Sequence, residues 1–160
     1  FFFKQKTAYE LQGDWSSDVC SSDLAAYKQG FEQLDRKDYA AAVKSFTRAI
    51  DKDPTNADAH YNLGLAYFDQ NRYEPAAAEF TRTLELRPKY VNALYNRGLA
   101  KASLEKHQDA IGDFSAALEV DPRDASAWMA RAVSYYRLGD VASYESDRAK
   151  AIQLDPSLGR

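Results

Sequence analysis

The chain has 160 residues, room for one ordinary domain or a short array of repeats and too little for two large domains. With 21 basic against 24 acidic residues and a net charge of −3, it offers no positive field for phosphates, so nucleic acid and anionic membrane surfaces are not expected partners. A 45% apolar and 13% aromatic composition supports a packed core, and no run approaches the roughly 18 consecutive apolar residues of a spanning helix, so membrane insertion is not expected.

Residues 1–24 differ from everything after them. A Phe triplet leads into a Ser/Asp-rich stretch with neither helical nor strand periodicity. The string from Asp14 to Leu24 resembles the translation of a common sequencing adapter, and Lys4 to Glu10 resembles its upstream portion. The segment reads as an artefactual or disordered leader and is set aside for fold reasoning. Cys20, the single cysteine, falls inside it, so cysteine usage carries no information on redox compartment.

From residue 23 onward the chain repeats itself. Pro54, Pro88, Pro122 and Pro156 recur every 34 residues, and so do Gly30, Gly64, Gly98 and Ala132. Ala42, Ala76 and Ala110 keep the same step, as do Phe46, Phe80 and Phe114. This is the period of a helix-turn-helix repeat. Units of 23–56, 57–90, 91–124 and 125–158 follow, each an antiparallel helix pair. Within the second, Leu63, Ala66 and Tyr67 lie at helical spacing, then Ala76, Phe80, Thr83 and Leu84. Small residues let the two axes approach, and the Phe fills the space beside them. Each Pro biases its predecessor away from helix, ending the second helix. Asn56 and Asp124 suit the cap of the next first helix, and Pro75 sits in a first turn, where its missing N–H costs nothing. In the last unit Tyr144 replaces the small residue, Arg148 replaces the Phe and Val141 stands where Tyr39, Tyr73 and His107 do. That pattern suits a terminal repeat with a polar outer face, or equally a chain cut short.

These positions resemble the tetratricopeptide repeat family over residues 23–158. The resemblance implies an all-α, right-handed superhelical solenoid of four repeats that holds a peptide or helix of another protein in its concave groove. It implies a scaffold and not an enzyme. The alternative is the regulatory or substrate-presenting region of a larger enzyme. In the family register the inner wall comprises Tyr27, Lys28 and Phe31; Tyr61, Asn62, Leu65 and Phe68; Tyr95, Asn96 and Leu99; and Met129, Ala130, Val133, Tyr136 and Arg137. Tyr27, Tyr61 and Tyr95 would form a ladder of large contact areas with polar tips, and the carboxamides of Asn62 and Asn96 could both donate to and accept from a peptide backbone. The two-carboxylate clamp of some members is not expected: its places are held by Tyr27, Phe31, Asn62, Asn92 and Asn96, and only Asn62 matches.

No catalytic constellation emerges. His60 and His107 stand far apart in the chain, and no Gly-rich phosphate loop or metal-ligand spacing occurs, so neither cofactor nor metal is expected. His60 occupies the place where the family commonly has Trp, as this chain has at Trp128, and reads as a packed side chain. His107 replaces the Tyr of the other units. Arg97 and Arg131 fall where the second unit has Leu63, which places them at the border of helix packing.

Overall fold

The computed structural model describes residues 21–159, and every regular element among them is helical. In chain order these are α1 (Ser21–Asp35), α2 (Tyr39–Lys52), α3 (Ala57–Asp69), α4 (Tyr73–Leu86), α5 (Val91–Ser103), α6 (His107–Val120), α7 (Ala125–Arg137) and α8 (Val141–Leu154), with a 3₁₀ turn at Pro156–Gly159. Helix α1 takes in the last four residues of the segment set aside above. The rest of that segment, Cys20 and Trp15 included, lies outside the described residues. Two compact units result, one ending at Pro88 and one starting at Lys89.

Two kinds of turn alternate. Inside each helix pair the chain passes through one left-handed residue: Lys37 (φ 59°), Asn71 (58°), Glu105 (59°) and Gly139 (80°), again 34 apart. The next N–H reaches back to a carbonyl of the last helical turn, from Asp38 to Gln33 at 2.8 Å, Arg72 to Tyr67 at 2.9 Å, Lys106 to Lys101 at 2.9 Å and Asp140 to Tyr135 at 3.0 Å. Such a closure satisfies carbonyls that a helix end would otherwise leave open. Only glycine takes this conformation freely, and a lysine or glutamate there carries strain of about 1 kcal/mol. Between pairs, Asp53, Arg87, Asp121 and Asp155 leave the helical region because proline follows. The Asp53, Asp121 and Asp155 carboxylates accept from the N–H two residues on, at 3.0, 3.1 and 2.9 Å. Asn56 and Asp124 then cap α3 and α7.

The core is a motif repeated within three helix pairs. Phe46, Phe80 and Phe114 are fully buried, and each ring lies so close to Gly30, Gly64 or Gly98 of its own pair that a Cβ there would sit 2.6 Å from the ring. Ala42, Ala76 and Ala110 are buried beside them. Glycine is needed here for close approach, not for backbone freedom.

The fourth pair departs from the motif, and not in the manner expected of a cap. The Phe slot faces the first helix of its own pair, as the contacts with glycine demonstrate. Arg148 in that slot is therefore half-buried against α7 and not spread over an outer face.

Candidate functional site

In the unit ending at Pro88, the first-helix tyrosines belong to the packing. Tyr27 is buried, edge-on to Phe31 at 4.9 Å and to Phe46 at 5.9 Å. Its hydroxyl accepts from Asn62 Nδ2 at 3.1 Å, and the same Nδ2 donates to the Asp58 carbonyl at 2.7 Å. The Asn62 carboxamide thus joins α1 to α3. Burial pushes the Tyr27 phenol well above its ordinary range, reinforced by the nearby Asp58 carboxylate. Tyr61 is fully buried with its ring 5.7 Å from that of Phe80, and Leu65 is buried as well. Lys28 remains exposed, while Phe31 and Phe68 are half-buried.

The unit starting at Lys89 follows the same plan. Tyr95 and Asn96 are fully buried, Tyr95 lies 5.8 Å from Phe114, and Leu99 is buried. Burial raises the Tyr95 phenol too, with Asp124 adding to the effect. Along α7, Met129 and Ala130 are buried and Val133 half-buried, whereas Tyr136 is 59% exposed and Arg137 is exposed. Of the residues placed on the wall by register, Lys28, Phe31, Phe68, Val133, Tyr136 and Arg137 therefore have surface to offer. The Tyr27, Tyr61, Asn62, Tyr95 and Asn96 side chains are buried instead.

Register alone could not find a cavity of about 340 Å³ between α7, α8 and the 3₁₀ turn, lined by Met129, Val133, Tyr136, Tyr144, Arg148, Leu158 and Gly159. Its origin is local. Where other pairs carry Tyr, Gly, Ala and Phe, this one carries Met129, Ala132, Tyr144 and Arg148. Without the Phe ring, Ala132 has room for its methyl, and Tyr144 turns toward Tyr136 with ring centres 5.3 Å apart. The sequence signal was the departure of Tyr144 and Arg148 from the repeat.

Several charged side chains of the first helices are engaged internally. Arg97 donates to both oxygens of buried Asp113 at 3.0 and 2.6 Å, and Lys101 joins at 2.8 Å. Arg131 grips buried Asp147 at 2.7 and 3.0 Å and reaches Ser115 at 2.9 Å. Both pairs tie a first helix to its second, and Arg131 also ties α6 to α7. His60 Nδ1 lies 2.7 Å from Glu79 and Nε2 lies 3.2 Å from the Pro54 carbonyl. Trp128 Nε1 donates to the Pro122 carbonyl at 2.9 Å, the matching contact two helix pairs further on. His60 thus does the structural work of the indole. Buried His107 faces Glu105 at 3.2 Å. Among the described residues no group of three His, Cys, Asp or Glu side chains could hold a metal ion, and no helix is long and apolar enough to cross a membrane.

Helix pairs with a 34-residue step, a glycine under each Phe and a left-handed joint in each pair define an all-α helical-repeat protein. The tetratricopeptide repeat family matches residues 27–91, 65–119 and 95–143, and the chain belongs to that family. A comparison with curated protein sequences finds no match. Among solved structures, MamA superposes with a TM-score of 0.81 at 23% identity, over 86% of this chain and 80% of its own. YrrB, described as a tetratricopeptide repeat protein with an unusual peptide-binding site, gives 0.79 at 25% identity, over 85% and 70%. The first such domain of Spaghetti (RPAP3), bound to the HSP90 peptide SRMEEVD, gives 0.72 at 25% identity, over 78% and 99%.

Proposed function

We propose that this chain is a protein-interaction scaffold that holds a peptide or helix of a partner on the first-helix side of its repeats. The observation that carries this reading is the division of labour along those helices. In the unit ending at Pro88, Tyr27, Tyr61 and Asn62 are buried while Phe31 and Phe68 keep accessible surface, and in the unit starting at Lys89, Tyr95 and Asn96 are buried while Val133 and Tyr136 keep it. Aromatic side chains on a rigid backing suit recognition, because little rotamer freedom is lost when a partner covers them. Lys28 and Arg137 add positive charge at the edge. The peptide-bound Spaghetti domain and YrrB support the reading by analogy of fold.

Tyr27, Tyr61, Asn62, Tyr95 and Asn96 are buried, so the informative test is at the accessible positions. A photo-crosslinking residue placed at Phe31 or Tyr136 is expected to trap a discrete polypeptide from the source cell. The same residue at exposed Ala149, on α8, should trap none. Equal adducts at all three positions, or none at any, would refute the proposal.

A further inference from the structure

We propose that the joint between α7 and α8 is a self-association surface, on which a second copy of this chain docks across a two-fold axis. The inference stands apart from the scaffold reading. Of the four large apolar side chains that stand exposed among the described residues, Val120, Tyr136, Leu138 and Val141, three fall within six residues at this joint. Tyr136 stacks its ring on Tyr144 at the cavity and belongs to the wall. Leu138 and Val141 do not line the cavity, and they are 48% and 58% exposed. A single exposed aliphatic side chain is ordinary, but two flanking one turn make a patch whose removal from water is favourable.

The other joints are built otherwise. At the two matched places stand Arg36 and Tyr39, then Gln70 and Tyr73, then Leu104 and His107. Each of those joints has at least one polar group there: the Tyr73 hydroxyl donates to Asn71 Oδ1 at 2.8 Å, and buried His107 faces Glu105 at 3.2 Å. The fourth has only Leu and Val. Charge then identifies the occupant. Arg137 ends α7, Asp140 caps α8 through the Ser143 N–H at 3.1 Å, and both are exposed. Opposite in sign and three residues apart, they form no ion pair with each other or with any other group among the described residues. A two-fold axis sets a surface against its own image, so that residue i meets j wherever j meets i. Arg137 of each copy then lies beside Asp140 of the other, with Leu138 and Val141 in the shared apolar centre. An unlike protein would need a separately matched surface, whereas this joint carries both halves of the match. With two aliphatic side chains at its centre, the contact falls at the weak end of protein association.

Sedimentation equilibrium of the full chain, from about 10 µM to about 1 mM, reads the association. The mass is expected to climb from that of one chain toward that of two as concentration rises. Leu138→Ser with Val141→Ser should remain monomeric throughout, with its circular dichroism unchanged. Arg137→Glu and Asp140→Lys should each weaken association about tenfold, because two attractive contacts become repulsive. An equimolar mixture of those two variants should recover it, since each supplies the charge that the other lacks. Asp140→Asn keeps a capping side chain and should lose about threefold, which tests the same contact should the lysine variant fail to fold. A mass fixed at one chain up to about 1 mM, undiminished association in the serine or asparagine variant, or a mixture no tighter than either variant alone would each overturn the proposal. None of these substitutions falls on Phe31 or Tyr136, so the crosslinks there test the scaffold separately.

Discussion

The helix pair α3–α4 and the helix pair α7–α8 share a backbone plan and differ at four matched places: Tyr61, Gly64, Ala76 and Phe80 against Met129, Ala132, Tyr144 and Arg148. In the first pair the Phe ring is fully buried on a bare glycine and the Tyr ring closes over it. In the second the ring is gone, the glycine has gained a methyl and a cavity remains. The four exchanges are mutually dependent. A ring needs the glycine, and without the ring the glycine has no purpose. One pair is built to be closed and the other to keep a space open.

The sharpest way to break this contrast is to truncate the same slot in both pairs. Phe80→Ala should cost about 3–5 kcal/mol, whereas Arg148→Ala should cost under about 1 kcal/mol; urea unfolding measures both. Comparable losses would mean that the fourth pair depends on its arginine as the second does on its phenylalanine. Gly64→Ala should cost about 1–3 kcal/mol by overpacking, and Phe80→Leu in the same chain should recover part of that loss. The opposite substitution, Ala132→Gly with Arg148→Phe, should stabilise by about 0.5–2 kcal/mol through cavity filling.

Asn62→Ala should cost about 1–2 kcal/mol, since it removes the donor that joins Tyr27 to α3. The same contact has a pH signature. A phenol raised by burial above its ordinary value of 10.0 contributes stability that is fully present below that value and is lost as pH rises beyond it. Tyr27→Phe should therefore flatten the alkaline fall in stability followed by circular dichroism above about pH 10. The smallest effect is expected at the left-handed joints. Lys37→Gly or Glu105→Gly should stabilise by about 0.5–1 kcal/mol, and Gly139→Ala should destabilise by a similar amount.

Much of the fold was legible because its causes are local. The Asp-Pro and Arg-Pro steps announce helix ends, and the recurring Gly, Ala and Phe announce the pairing of small with large. The left-handed joints were legible only in part: Asn71 and Gly139 have residue types that favour them, whereas Lys37 and Glu105 adopt the conformation because two packed helices require it. The wall was legible in part. A register states which side of a helix a residue occupies and not how deep it lies, so Tyr61 and Asn62 read as surface tyrosine and amide yet are fully buried. The cavity needed depth as well, since it appears only once Arg148 is known to face α7.

The interlock of glycine with phenylalanine also sets the grain along which such a gene can be cut and rejoined. Exchanging α3 for α7 while keeping α4 would bring the methyl of Ala132 against the Phe80 ring, and the converse exchange would leave Gly64 beside an arginine. Shuffling whole hairpins avoids both clashes. Ancestral duplication and laboratory splicing alike are thereby steered toward inheritance in complete 34-residue modules.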